Sequence, residues 1–220
     1  TTSYDGTVKL WDVGRREPTG QLSGHTNGVT SASFSRDGAL LITGSDDSTA
    51  RLWDTKTAMG IMTFQGHTKP VTDASISPDG ARVLTASEDG TARLWDAKLG
   101  SYLSSLRGHS KLVRIARFSP SAEMVATASE DGTAKLWDAT SGRMKWSLTG
   151  HTKAVRGAAF SVDGRHLVTA SEDCSAKVWE TEHGSLVADL LGHKKEVHSA
   201  DFSPDGSKIV TASYDGTARI

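Results

Sequence analysis

Histidine, serine and aspartate, the residue types of a hydrolytic triad, recur together along this chain at a constant spacing. One set consists of His25, Ser45 and Asp47, and it is followed by Trp53. The same four types recur at steps of 42 residues: His67, Ser87, Asp89 and Trp95; His109, Ser129, Asp131 and Trp137; His151, Ser171, Asp173 and Trp179. A hydrolase needs one strained, exposed nucleophile beside one base. Because every copy contains the whole set together with an indole, the pattern favours a structural role, and we expect no catalytic residue.

The spacing also disfavours metal and phosphate chemistry. Histidines 42 residues apart belong to different repeats, and the cysteine and carboxylate spacings match no zinc-ligand motif. The chain has no G-x-G-x-x-G and no G-x-x-x-x-G-K-[ST] sequence, and its glycines fall in turns. We therefore expect neither a metal nor a cofactor.

Composition restricts the class of partner. The 25 Lys and Arg residues nearly balance the 26 Asp and Glu residues, so the chain has no strong field to attract nucleic acid or anionic lipid. No apolar run approaches the roughly 20 residues that span a bilayer, and no signal segment opens the chain. Cys174 is the single cysteine, which is typical of a reducing compartment. We expect a cytoplasmic protein that binds neither nucleic acid nor a membrane.

Each 42-residue repeat is predicted to contain four short strands. In one repeat these strands are expected at residues 29–35, 40–45, 49–54 and around 61–64. The sequence Asp37-Gly38 marks a turn, because glycine accepts a positive φ. Ala92 and Leu94 lie on one face of the corresponding strand and Trp95 on the other, so both faces carry packing groups. This pattern is typical of small sheets stacked against one another in a radial array.

The order of motifs within the repeat resembles a known family. Gly-His, Phe-Ser-x-Asp-Gly, Ser-x-Asp-Gly-Thr and Leu-Trp-Asp follow one another, with Trp-Asp in register at 11, 53, 95 and 137. These motifs resemble the WD-repeat β-propeller family over essentially the whole chain. The resemblance implies an all-β propeller of four-stranded antiparallel blades. The departures are Glu180 for the motif Asp, Ile76 for a Phe, and Ser48 and Cys174 for a turn glycine.

The resemblance also implies a role for the repeated polar set. In that family the His, Ser, Asp and Trp side chains form a hydrogen-bonded chain inside each blade, with the aspartate bound to the histidine and the tryptophan N–H closing the network. Buried polar groups need such partners, and a satisfied network stiffens a small sheet. We therefore expect all four sets to be structural.

The phase of the repeat predicts a single propeller segment over residues 1–220. Complete repeats are expected at 25–66, 67–108, 109–150 and 151–192, with the third and fourth strands of a partial blade at 1–24 and the first three strands of another at 193–220. The resembled family usually forms rings of about seven blades. We expect part of a larger ring, and the alternatives are a short propeller closed on itself or association between copies.

Positions that differ between the repeats are the candidates for partner binding. The resemblance places two such sets on the channel face, which commonly takes peptides. One set lies in the turn between the second and third strands of each repeat, between its serine and its aspartate: Tyr4, Asp46, Glu88, Glu130, Glu172 and Tyr214. The other follows the valine that opens the first strand: Thr30, Thr72, Arg114, Arg156 and His198. We expect a docking face for a segment with basic and polar groups, with the tyrosines as anchors. The alternative is that Glu88 or Glu130 only pairs with the arginine of an adjacent blade.

Two other residues depart from the repeat. Trp146 is the only tryptophan outside it and falls on the outer strand, so it either packs on the blade flank or contacts a neighbouring protein. Cys174 replaces a turn glycine, where a side chain is strained.

The leading functional hypothesis is a non-catalytic scaffold that binds protein or peptide partners in a multiprotein complex. The alternative is a regulatory sensor module of a larger signalling NTPase, kinase or protease. A propeller hydrolase would need one unrepeated cluster of acid, base or metal ligands in the channel, and no repeat supplies one.

Overall fold

The computed structural model describes residues 1–220, and its regular elements are all β-strands. The strands are β1 (Thr7–Asp12), β2 (Glu17–Ser23), β3 (Val29–Phe34), β4 (Leu40–Ser45), β5 (Ala50–Asp54), β6 (Gly60–Phe64), β7 (Val71–Ile76), β8 (Arg82–Ser87), β9 (Thr91–Asp96), β10 (Tyr102–Arg107), β11 (Val113–Phe118), β12 (Met124–Ser129), β13 (Ala134–Asp138), β14 (Met144–Leu148), β15 (Val155–Phe160), β16 (His166–Ser171), β17 (Ala176–Glu180), β18 (Leu186–Leu190), β19 (Val197–Phe202), β20 (Ile209–Ser213) and β21 (Ala218–Arg219). The structure contains no helix with the length and apolar composition needed to cross a bilayer.

These strands form six antiparallel sheets, four of which have four strands. We call these four sheets blade 1 (β3–β6), blade 2 (β7–β10), blade 3 (β11–β14) and blade 4 (β15–β18), and their strands a to d in chain order. A two-stranded sheet (β1–β2) precedes them and a three-stranded sheet (β19–β21) follows. Strand a of each blade lies against strand a of the next, and the sheets form an arc that is not closed into a ring. The predicted architecture of four-stranded antiparallel blades is confirmed.

The hydrophobic core lies between the blades. Leu94 of blade 2 and Trp137 of blade 3 belong to one buried cluster, whereas Trp95 packs with Leu52 and Phe64 of blade 1. Neighbouring residues on a strand point to opposite faces, so the Leu-Trp pair of strand c contacts the blades on both sides. The alternation in the sequence is therefore what joins each blade to its two neighbours.

The junction between blades 2 and 3 also contains a buried ion pair. The Asp73 carboxylate accepts hydrogen bonds from the Arg117 guanidinium and from the Ala116 backbone N–H at 3.1 Å. Asp73 is 5% exposed, and burial raises the pKa of its carboxyl against the opposing effect of Arg117. The equivalent positions at the junction of blades 1 and 2 are occupied by two serines, Ser31 and Ser75. The blades thus have different polar junctions although their strands are alike.

Candidate functional site

The triad-like polar set lies inside each blade, with the histidine and aspartate side chains less than 10% exposed. A loop before strand a carries the histidine, the turn between strands b and c carries the aspartate, and strand c carries the tryptophan. In blade 3, His109 Nδ1 lies 2.8 Å from an Asp131 carboxylate oxygen. The same contact measures 2.7–2.9 Å in the other four copies, including His193 and Asp215.

The hydroxyl group that joins histidine to tryptophan belongs to a threonine, which corrects the expectation drawn from the serines. In blade 3 the Thr127 Oγ1 lies 2.8 Å from His109 Nε2 and accepts a hydrogen bond from Trp137 Nε1 at 2.9 Å. Equivalent threonines occupy this place in the other copies: Thr43, Thr85, Thr169 and Thr211. Threonine sits two residues before the serine on strand b, so both side chains point into the same face and only the register decides which one reaches the ring.

The serine of each set makes different hydrogen bonds, at the turn between strands b and c. Ser129 Oγ donates to the Leu112 carbonyl at 2.8 Å and accepts the Asp131 backbone N–H at 3.1 Å. It therefore ties the turn between strands b and c to the loop that enters strand a. Ser45, Ser87, Ser171 and Ser213 repeat the contact to the aspartate N–H at 3.1 Å.

Burial and hydrogen bonding determine the charges in this network. Burial lowers the pKa of His109 and outweighs the hydrogen bond to Asp131, so the ring is neutral at pH 7. Burial raises the pKa of Asp131, but hydrogen bonds from Thr133 and His109 outweigh it and lower the pKa to about 2. A neutral ring that donates from Nδ1 to a carboxylate accepts at Nε2, and the threonine hydroxyl then accepts from the indole and donates to the ring. Each donor of this network therefore has an acceptor within it.

This arrangement carries no nucleophile. The serine and threonine of each set are almost fully buried and donate to backbone or ring acceptors, with Thr127 and Ser129 both 0% exposed. Nucleophilic catalysis requires a hydroxyl that a substrate can reach, next to a base free to take its proton. The four sets of the sequence are therefore parts of the blade structure.

The two sets of channel-face candidates meet because of two backbone features. The Glu130 backbone N–H donates to the Leu112 carbonyl at 3.2 Å, which brings the turn between strands b and c against the start of strand a. Strand a has a β-bulge directly after its first valine, and the bulged residue is Arg114 in blade 3. Bulges redirect a side chain out of the sheet alternation. The corresponding bulged residues in the other copies are Thr30, Thr72, Arg156 and His198.

Blades 3 and 4 each have an ion pair at this position. Arg114 pairs with Glu130, and Arg156 pairs with Glu172 through a hydrogen bond from Nε at 2.6 Å and a second from Nη2. Both partners belong to the same blade, which corrects the alternative that an acid pairs with the arginine of an adjacent blade. The four side chains are 28–34% exposed, so these pairs contribute little stability.

Blades 1 and 2 lack such a pair. The hydroxyls of Thr30 and Thr72 each donate at 2.6 Å to a backbone carbonyl of the next blade, that of Val71 or Val113. These two threonines therefore link blades through their hydroxyls, rather than offering them to a partner as the sequence suggested. Asp46 of blade 1 and Glu88 of blade 2 form no ion pair.

The acidic residues between strands b and c of blades 1 to 4 form a row, and a tyrosine lies at each end of it. Tyr4 is 92% exposed and lies with Asp46 beside Gly28, where both side chains approach within 3.0 Å of the place a Cβ would take. Tyr214 is 65% exposed, and its ring meets His198 edge-on at a centroid distance of 5.5 Å. The structure thus places all the candidate residues in two adjoining rows on one face. We call these rows the rim.

Trp146 and Cys174 also have defined environments. Trp146 is 39% exposed, and its indole N–H donates to the Glu182 carbonyl of blade 4 at 2.9 Å, so the side chain is a contact between blades. Cys174 has a φ of 71° and Ser48 a φ of 67°, in the left-handed region where the equivalent Gly90 has 82°. Both substitutions place a side chain in a conformation that favours glycine.

One group of ligand-type side chains was missed by the sequence reasoning. Glu180, Glu182 and His183 offer oxygen and nitrogen atoms within 4.8 Å of one another in a turn of blade 4. A comparison of histidines 42 residues apart overlooks a cluster that lies within one turn. Glu182 and His183 are exposed and Glu180 is partly exposed, and His183 Nδ1 lies 3.2 Å from the Glu180 carboxylate, so the cluster is a surface contact.

Comparison with known proteins agrees with the fold. A search of curated proteins finds no match. The family model described as WD domain, G-beta repeat, or WD40, matches five segments of the chain: 16–54, 60–96, 100–138, 142–180 and 184–220. Each matched segment starts at or just before strand d of one sheet and ends with strand c of the next, so the family repeat is offset from the structural blade. With five repeats across residues 16–220, this chain belongs to the WD40 repeat family.

Proposed function

We propose that this chain is a non-catalytic scaffold that binds protein or peptide partners through the rim. WD40 repeats are generally protein-interaction modules. The observation that carries the proposal is the contrast between the two polar sets of each blade. The His-Thr-Trp-Asp network is buried and identical in blades 1 to 4, whereas the rim is solvent-accessible and changes from Thr with Asp in blade 1, through Thr with Glu in blade 2, to Arg with Glu in blades 3 and 4.

The charge of the chain supports a protein partner over a polyanion. Its formal net charge of -1 gives no long-range attraction for nucleic acid or an anionic membrane. Exposed tyrosines flanking charged groups are frequent at protein interfaces, because the ring offers apolar area and the hydroxyl a hydrogen bond. We also propose an intracellular location, which the single cysteine supports.

Affinity capture with two matched triple variants tests this function. The rim variant reverses three charges, as Glu88→Lys, Glu130→Lys and Arg156→Glu. The control variant, Glu123→Lys with Glu182→Lys and Lys98→Glu, makes the same net change of charge at exposed residues in turns at the opposite end of the strands. We expect both variants to fold, as judged by circular dichroism. Proteins captured by the wild type, identified by mass spectrometry, should be lost with the rim variant and kept with the control. Equal capture by both variants would overturn the proposal.

A further inference from the structure

Clefts lined by equivalent residues open at the rim between successive blades. The cleft between blades 2 and 3 has a volume of about 390 Å³, and the cleft between blades 3 and 4 about 460 Å³. Each is bordered by the turn between strands b and c of one blade and by the loop that enters strand a of the next. The walls are almost entirely polar, and Leu112 is the single hydrophobic residue of the first cleft. Such a space has room for one long polar side chain.

The two clefts differ in how their acidic residues are neutralised. Glu130 and Glu172 line the cleft between blades 3 and 4, and each has an arginine of its own blade as partner. Glu88 lines the cleft between blades 2 and 3 without an ion pair, because the bulged residue of its blade is Thr72. The Thr72 hydroxyl donates to the Val113 carbonyl and does not compensate the carboxylate. One acidic group in this cleft is therefore left for an external cation.

The lysines of the cleft do not fill this role. Lys69 and Lys111 also line the cleft between blades 2 and 3, but neither forms an ion pair with Glu88. The neighbouring cleft has the same kind of lysines, Lys111 and Lys153. The difference between the clefts is thus the partner of the first acidic residue, because Glu130 pairs with Arg114 whereas Glu88 has Thr72 at the equivalent position.

Blade 1 also lacks a basic partner for its acidic rim residue. Asp46 forms no ion pair, the bulged residue is Thr30, and Asn27 stands where the following blades have a lysine. Tyr4 lies beside Asp46 across Gly28 with its ring open to solvent. A carboxylate next to an exposed aromatic face attracts lysine and arginine by charge and by cation–π interaction. The rim is therefore acidic over blades 1 and 2 and balanced over blades 3 and 4.

We propose that the rim over blades 1 and 2 docks a basic protein segment, with one lysine or arginine side chain entering the cleft between blades 2 and 3 to pair with Glu88. A second cation of the segment lies against Asp46 and Tyr4. This inference rests on the proposed function, since it assigns the chemistry of the partner to the same face.

Peptide selection with an internal control tests the proposal. A phage-displayed library of random peptides is selected on the wild-type chain, and the dissociation constants of synthetic copies are measured by fluorescence polarisation. Thr72→Arg copies into blade 2 the arginine that blades 3 and 4 already have, and so gives Glu88 a partner of its own. Glu88→Gln removes the charge at an exposed site, and Thr72→Val removes only the hydroxyl.

We expect the selected peptides to be rich in lysine or arginine. Their dissociation constants should rise about tenfold or more in Thr72→Arg and in Glu88→Gln, as expected for loss of a charge-assisted contact, and should change little in Thr72→Val. Added salt should weaken wild-type binding and have less effect on Glu88→Gln.

Two outcomes separate this inference from the proposed function. Selected peptides that lack basic residues but lose binding in the triple rim variant would overturn the basic segment and leave the docking face standing. Peptides that bind the triple rim variant as tightly as the wild type would overturn both. Basic peptides whose affinity is the same in Glu88→Gln would also refute the assignment of the cleft.

Discussion

The threonine hydroxyl at the centre of the buried network offers the sharpest test of the structure. Thr127→Val replaces the hydroxyl with a methyl group of similar volume, so packing is preserved and two hydrogen bonds are lost. His109 Nε2, at 2.8 Å, and Trp137 Nε1, at 2.9 Å, would then have no partner. Both rings are buried, and each unpaired buried group costs about 1–3 kcal/mol. We expect the free energy of unfolding to fall by about 2–6 kcal/mol, a large part of the 5–15 kcal/mol typical of a folded protein.

Two variants serve as controls for this substitution. Thr127→Ser keeps the hydroxyl and removes one buried methyl group, which should cost about 1 kcal/mol. Ser129→Ala removes the hydroxyl that the sequence suggested as the link. It should disturb the Asp131 turn and leave the contact between Thr127 and Trp137 in place.

Urea unfolding followed by tryptophan fluorescence gives the stability of each variant, and NMR gives hydrogen exchange of the Trp137 indole N–H. The exchange rate should rise in Thr127→Val, because the indole loses its acceptor, and stay near the wild-type rate in Ser129→Ala. Equal stabilities of Thr127→Val and Thr127→Ser would refute the reasoning, as would fast indole exchange in Ser129→Ala alone.

Three further predictions concern stability and are checked by urea unfolding. Burial lowers the pKa of His109 in the folded protein below the unfolded value of about 6.5. As the pH falls, the unfolded state therefore binds the proton first. The free energy of unfolding should be highest above about pH 6.5 and should decline as the pH falls towards 5. Asp131, whose folded pKa is about 2, should add a second loss from about pH 4 downwards. A midpoint independent of pH between 7.5 and 5 would contradict the His109 prediction, and one independent of pH between 4 and 2 would contradict the Asp131 prediction. Cys174→Gly should raise stability by up to about 1 kcal/mol, because glycine relieves the positive φ of 71°, whereas Cys174→Ala should bring no gain. Asp73→Ala should lower the free energy of unfolding by about 2–4 kcal/mol, because it leaves Arg117 and a buried backbone N–H without their partner. Asp73→Asn should lower it less, and a larger loss in Asp73→Asn than in Asp73→Ala would refute this.

Much of the fold follows from local features that a single repeat displays. The Asp-Gly turns and the alternation through Leu94 and Trp95 predict strands that are buried on both faces, a pattern that stacked blades satisfy. Two strand limits were one residue too long: strand a of blade 1 ends at Phe34 and strand c begins at Ala50. The excluded residues, Ser35 and Thr49, lie in the connections: the Ser35 N–H donates to the Leu40 carbonyl, and the Thr49 carbonyl accepts from the Ser45 N–H.

The site was predicted less completely, because its contacts depend on geometry between strands. Serine and threonine two residues apart on strand b face the same way, and the spacing does not reveal which hydroxyl reaches the histidine. The bulge that turns Arg114 towards Glu130 of its own blade is a feature of strand pairing, so the sequence left open which glutamate it meets. Trp146 meets the carbonyl of Glu182 only through the stacking of blades 3 and 4.

The sequence by itself determined the repeat, the strands and the absence of an unrepeated triad, since turn chemistry and side-chain alternation act over a few residues. Tertiary structure decided which groups pair. The same Glu position is neutralised in blade 3 and free in blade 2 because a bulge presents an arginine in one and a threonine, bound to the next blade, in the other. Hydrogen bonds and ion pairs reach only about 3–4 Å, so strand register and blade contact, rather than spacing along the chain, select the partners.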